Sequence, residues 1–221
     1  MKQALLIGPI FSDFHLAHIK QLIAREGYVH IVAVDRGADY CKQADVIPTL
    51  FVGDNDSASS EALQYIETLQ VERVELNPDK DDSDLACALD WLIERGVSTV
   101  EMVGFVGGRL DHQLALFGDI AARNTDALLY DENQTLWIVT QRGRLPRKVV
   151  LPQVSFANFS VFALKESATI SIDGARWPLS NKVLEPLISL GLSNEFAQGA
   201  FDARVLVHSG TVLVCANKSL S

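Results

Sequence analysis

Along the first 125 residues, short apolar runs alternate with stretches in which apolar positions recur every three or four residues. The runs ALLIG (4–8), HIVAV (30–34), TLFVG (49–53), VERVEL (71–76) and TVEMVGF (99–105) predict strands. Residues 14–26, 36–44, 59–69 and 83–95 predict helices, and another follows Arg109. In the fourth of these, Leu85, Leu89 and Leu92 share one face and Ser83 is placed to cap the amino end. Strands this short and apolar, alternating with helices, predict a parallel sheet covered on both faces. After about residue 125 the rhythm changes. ALLYD (127–131), TLWIVT (135–140), RKVVL (147–151), FANFSVFAL (156–164), ATISI (168–172), ARVLVHS (203–209) and TVLVCA (211–216) predict an antiparallel β domain rich in Val, Ile, Phe and Thr. Ser209-Gly210, between two apolar runs, predicts a closing hairpin, and residues 141–148 read as surface connection.

The polar residues fall at one place in this pattern. Asp35 follows the second strand, Asp54 and Asp56 the third, PDKDDSD (78–84) the fourth and GGRLDH (107–112) the fifth. In open α/β sheets, ligands bind at the carboxyl ends of the strands. Asp54 and Asp56, spaced i and i+2, point the same way in extended backbone, and with Asp84 they offer three hard oxygen ligands suited to Mg²⁺. The plainer alternative is an Asp-rich turn that caps a helix, with Asp84 a first-turn acid favoured by the helix dipole. Lys80 and Arg109 are cations able to neutralise phosphate oxygens, Arg109 through two parallel hydrogen bonds. Gly107 and Gly108 allow close backbone approach and offer amide hydrogens. Asp111 fits two roles, orienting Arg109 or holding a metal-bound water. His112 fits a structural hydrogen-bonder better than a base, and His15 and His18 read as core or surface residues. There is no G-x-x-x-x-G-K-[ST], no G-x-S-x-G and no complete G-x-G-x-x-G.

Composition narrows the classes further. The 221 residues are 48% hydrophobic and carry a formal net charge of −9. That charge argues against a nucleic-acid or anionic-membrane surface. It leaves room for an anionic small molecule, because a metal ion and local cations reverse the field inside a cleft. Cys41, Cys87 and Cys215 are far apart with no C-x-x-C, as expected of reduced thiols in a cytoplasmic protein. No apolar run approaches the length of a membrane span, and the amino terminus reads as a first strand, not a signal peptide.

In order along the chain, VDRGAD (34–39), GDNDS (53–57), KDDSD (80–84), GGRLDH (107–112), GARWPLSN (174–181) and GLSNEF (191–196) resemble the motifs of the thiamine pyrophosphokinase (thiamine diphosphokinase) family. The resemblance implies a Rossmann-like α/β catalytic domain over 1–130, a β-sandwich over 131–221 that binds thiamine, and a homodimer. It implies Mg²⁺-dependent transfer of diphosphate from ATP to thiamine, giving thiamine diphosphate and AMP. The alternative is a related Mg²⁺-dependent diphosphotransferase or phosphohydrolase acting on another small molecule. By motif position, Asp54, Asp56 and Asp84 would hold Mg²⁺ and Asp35 would lie near the reacting groups. Lys80, Asp81 and Arg109 would contact ATP phosphates, with Gly107, Gly108, Asp111 and His112 in the same ATP site. Trp177 would stack on thiamine, with Ser193 and Asn194 nearby, although as a residue alone it equally fits a core or hairpin aromatic. Trp91 and Trp137 read as packing residues. Arg36, Asn55 and Leu116 depart from the family pattern.

Overall fold

Each predicted strand–helix alternation appears in the fold, which is known from a computed structural model describing residues 2–53, 57–75 and 83–219. The elements run β1 (Lys2–Ile7), α1 (Asp13–Ala24), β2 (Tyr28–Val34), α2 (Gly37–Ala44), β3 (Leu50–Gly53), α3 (Ser60–Thr68), β4 (Glu72–Glu75), α4 (Asp84–Glu94), β5 (Val97–Val103) and α5 (Leu110–Ala122). After β6 (Asp126–Tyr130) come β7 (Gln134–Thr140), β8 (Arg147–Pro152), β9 (Phe156–Ala163), β10 (Ala168–Asp173), β11 (Leu179–Leu184), β12 (Asp202–Ser209) and β13 (Thr211–Lys218). The chain divides into two units, Met1–Asp119 with Leu129–Glu132, and Ile120–Leu128 with Asn133–Ser221. Among the described residues, no helix is long and apolar enough to cross a membrane.

In the first unit the strands pair in parallel in the order β4-β3-β2-β1-β5. Side chains alternate across a strand, so each strand feeds two cores. Leu5, Ile7, Ala33, Phe51 and Val103 pack with Ile19 and Leu22 of α1, Cys41 of α2 and Ile66 of α3. Ala4, Leu6, Val32, Leu50, Val52 and Met102 alternate with them and are equally buried. On that face α4 packs on β2, β3 and β5. Serine hydroxyls start three helices: Ser12 accepts from the His15 N–H, Ser59 from Ala62 and Ser83 from Ala86. Trp91 packs under the Arg95 guanidinium, 3.6 Å from its ring centroid, and donates to Glu72. His15 is buried, and His18 stacks on Phe14 and packs against Tyr130.

The second unit is a sandwich. β13 pairs antiparallel with β7 on one side and β9 on the other, and a separate sheet runs β11-β10-β12-β8. Val161, Val212 and Val214 from the first set share one core with Ile170, Ile172, Val205 and Val207 from the second. Trp137 packs on this core, edge-on to Phe156. Two expectations change. Ser209-Gly210 closes no hairpin: β12 pairs with β10 and β8, whereas β13 pairs with β7 and β9. Gly210, at φ 78°, sends the chain from one sheet into the other, and a Cβ there would lie 2.9 Å from the Ala168 Cα. A turn signal marks where a chain bends, not which strand it next meets. The strand β11 went unpredicted because it is an exposed edge strand, LSNKVL, with no apolar alternation. Residues 141–148 do more than connect: Arg142 and Arg147 both ion-pair with the buried Asp126, at 3.1 and 2.6 Å.

Candidate active site

The strand order makes β1 the point where the topology reverses: the chain builds outward from it through β2, β3 and β4, then returns to its other side with β5. That reversal opens a crevice at the carboxyl ends of the strands. Two glycines let the loops after β1 and β5 close its floor. Gly8 N–H donates to Val103 and Ile10 N–H to Gly104, at 2.8 and 2.9 Å. A Cβ on Gly8 would sit 2.5 Å from the Gly104 carbonyl, and one on Gly104 2.6 Å from the Ile10 carbonyl. Above them is a cavity of about 450 Å³. Its walls are mostly apolar, from Ile10, Val34, Leu85, Phe105 and Leu116, with Asp35, Asp84, Arg109 and His112 placed among them.

Asp35 sits in the left-handed region at φ 50°, a conformation that aspartate tolerates better than most residues. Its N–H is held by the Val52 carbonyl at 2.9 Å and its carbonyl accepts from Ala38. A Cβ on Gly53 would lie 3.1 Å from Asp35 Oδ1, so the glycine ending β3 clears space around this carboxylate. Arg36, the departure next to it, has ordinary helical angles and is exposed, so an arginine strains nothing there. Asp84 opens α4 directly after its serine cap. The Ser83 hydroxyl also donates to Asp119 Oδ2 at 2.7 Å, which ties the start of α4 to α5 beside the cavity.

The loop after β5 carries Gly107, Gly108 and Arg109. Arg109 extends from it, mostly exposed, and its Nε and Nη2 donate to the two oxygens of Asp111 at 3.1 and 2.5 Å. Asp111 therefore holds the guanidinium, one of the two roles open to it. The hydrogen bonds from Arg109 hold the Asp111 carboxyl down at about 2. A depressed folded value means the pair is intact above the ordinary carboxylate range and is lost only as pH falls through about 2. Carboxyl ¹³C NMR should put the Asp111 midpoint near 2, and an Arg109→Ala variant should return it to about 4. Leu116, a second departure, is buried in the apolar wall. The Gly107 N–H donates to Gln113 Oε1 at 3.1 Å, so in this arrangement it is not on offer to a ligand.

Trp177, Ser193 and Asn194 come together in the second unit. Asn194 is buried; its Oδ1 accepts the Trp177 and Glu195 N–H groups, and its Nδ2 donates to the Trp177 carbonyl at 2.8 Å. Its amide is thus committed to fixing the Trp177 backbone. Ser193, at φ 53°, donates its N–H to Ser160 Oγ. The Trp177 ring is 51% exposed, with the Arg176 guanidinium 4.7 Å from its centroid and Glu195 holding Arg176 at 2.7 Å. Asp54, Asp56, Lys80, Asp81 and Asn55 lie outside the described residues. Gln113, Asp119 and Arg176 were missed by the sequence reading. Gln113 and Asp119 are spaced three and nine residues from Leu110 on the helix α5, and only their tertiary partners distinguish them from surface polar residues.

The family model described as "Thiamin pyrophosphokinase, catalytic domain" matches residues 20–128, and that described as "Thiamin pyrophosphokinase, vitamin B1 binding domain" matches residues 148–212. A protein of Bacillus subtilis (strain 168) named thiamine pyrophosphokinase is 26% identical over 176 residues, covering 77% of this chain and 80% of its own. Among solved structures, thiamine pyrophosphokinase from Bacillus subtilis superposes with a TM-score of 0.76 at 20% identity, over 99% of this chain and all of the other. The Geobacillus thermodenitrificans enzyme gives 0.74 at 21% identity, over 100% and 99%. The yeast enzyme gives 0.69 at 12% identity, over 99% and 86%.

Proposed function

The chain belongs to the thiamin pyrophosphokinase family, and from that membership we propose that it makes thiamine diphosphate from thiamine and ATP by moving one diphosphate group, with Mg²⁺ as cofactor and AMP as the other product. The observation that carries the reading is the convergence of Asp35, Asp84 and Arg109 on one cavity at the topological reversal. Diphosphate transfer needs charge neutralisation and alignment more than covalent help from the protein. Arg109 supplies a planar fork for phosphate oxygens, kept in place by Asp111. Asp35, in the same cavity, would orient the reacting groups. The carboxylates of Asp35 and Asp84 are hard oxygen donors in one cavity and fit Mg²⁺. When bound, Mg²⁺ would neutralise the phosphate chain, held by Asp84 with Asp54 and Asp56.

In the second unit, Trp177 offers its ring to the flat, cationic thiamine. Arg176 covers one face of that ring, so thiamine would take the other. Lys80 and Asp81 complete the phosphate side. The working unit on this reading is a homodimer, and the compartment is the cytoplasm.

Incubation of the purified protein with ATP, Mg²⁺ and thiamine should yield AMP and thiamine diphosphate in equal amounts. ADP with thiamine monophosphate would overturn the diphosphate step.

A further inference from the structure

We propose that Gln113 is a positioning residue of the reaction, the tether that holds the glycine loop and Arg109 in register with the cavity. The inference deepens the reading of that cavity as the ATP site and rests on it.

The glycine pair at the far end of the loop after β5, Gly107 and Gly108, has little packing to fix its shape. Gly104, Gly107 and Gly108 all have positive φ, at 79°, 107° and 74°. A Cβ built on Gly107 would meet nothing within 4 Å, and one on Gly108 only the Ile10 Cδ1 at 3.8 Å. Packing holds Gly104, Phe105 and Val106 but not Gly107 and Gly108, and glycines have the most backbone freedom to lose when ordered. Gln113 compensates from the rigid helix α5. Its Nε2 donates to the Phe105 carbonyl at 2.8 Å, and its Oε1 accepts the Gly107 N–H at 3.1 Å. One side-chain amide thus spans both sides of the bend, a donor to the Phe105 carbonyl on the strand side and an acceptor from the Gly107 N–H. The helix itself starts from the same loop, since the Gln113 N–H donates to the Arg109 carbonyl. Arg109 leaves the loop two residues after the tethered Gly107, and Gln113 lines the cavity alongside it. Leucine has neither group, and glutamate keeps the acceptor while opposing the Phe105 carbonyl with a carboxylate.

The experiment compares Gln113→Leu and Gln113→Glu with the parent. In Gln113→Leu the Gly107 amide should exchange with solvent about tenfold faster, the size expected for one lost hydrogen bond. The Ile120 amide on α5 should keep its rate. KM for ATP should rise about tenfold for the same loss, with KM for thiamine within about twofold. Gln113→Glu should fall between parent and leucine variant on both measures. Unchanged Gly107 exchange in Gln113→Leu would overturn the tether. A parallel rise of both KM values with faster exchange at Ile120 would make Gln113 a general structural residue and overturn its positioning role. If the parent releases no AMP with thiamine, the reaction reading falls, while the Gly107 exchange rate in the free protein still decides the tether.

Discussion

Arg109→Ala lowers kcat/KM for thiamine diphosphate formation by about two to three orders of magnitude, the range seen when one preorganised donor to developing charge is removed. The fold should not suffer, because the Arg109 side chain is 72% exposed and its hydrogen bonds go to Asp111, itself 63% exposed. Unfolding midpoints of parent and variant should therefore agree. Arg109→Lys separates charge from geometry. Lysine restores a point charge but not the planar fork, so it should recover only about tenfold of the lost rate. Steady-state kinetics with AMP detection reads both variants. A kcat/KM within about threefold of the parent in the alanine variant would remove Arg109 from the chemistry, since the loss expected of a phosphate contact is far larger.

Gly37→Ala destabilises the protein by about 3 kcal/mol or more, at the upper end of overpacking costs. Gly37 is buried at the first turn of α2, and a Cβ there would sit 2.0 Å from the Ile7 carbonyl oxygen and 2.8 Å from its carbon. Those are backbone atoms of the central strand β1, paired on both sides, so they cannot yield. Relief requires α2 to lift off the sheet, beside the Asp35 turn. Gly118 is the control. It lies within α5, a Cβ would meet nothing within 4 Å, and alanine there should gain up to about 1 kcal/mol from helix propensity. Urea denaturation of the two variants gives the comparison. A Gly37→Ala midpoint equal to the parent's would show that the close approach to Ile7 is not required.

The same glycine shows how much of the site was legible. VDRGAD put Asp35 after the second strand, with Arg36 beside it as a departure from the family pattern. The geometry puts the constraint one residue later, on Gly37, because only there does the helix backbone meet β1. GGRLDH announced a phosphate-type loop and left two roles open to Asp111, of which the structure shows the pairing with Arg109. What holds the loop lay outside that motif, in Gln113, whose two partners are residues 105 and 107. Asn194 was placed beside a ligand by motif. Its amide bonds the Trp177 backbone, across seventeen residues of sequence, which no local pattern shows.

By itself the sequence determined the elements other than the edge strand β11, and the chemistry at the ends of the parallel strands. Burial on both faces of a parallel sheet leaves unbroken apolar strands, and helix burial leaves a period near 3.6, so both are written locally. It also placed the carboxylates, the arginine and the glycines at the strand ends. Only the tertiary structure decided which strands pair across Ser209-Gly210, where a Cβ cannot fit, and which polar side chains tether the loop. Those outcomes depend on groups brought together by the whole fold, and a contact between distant residues imposes no period on the residues between them.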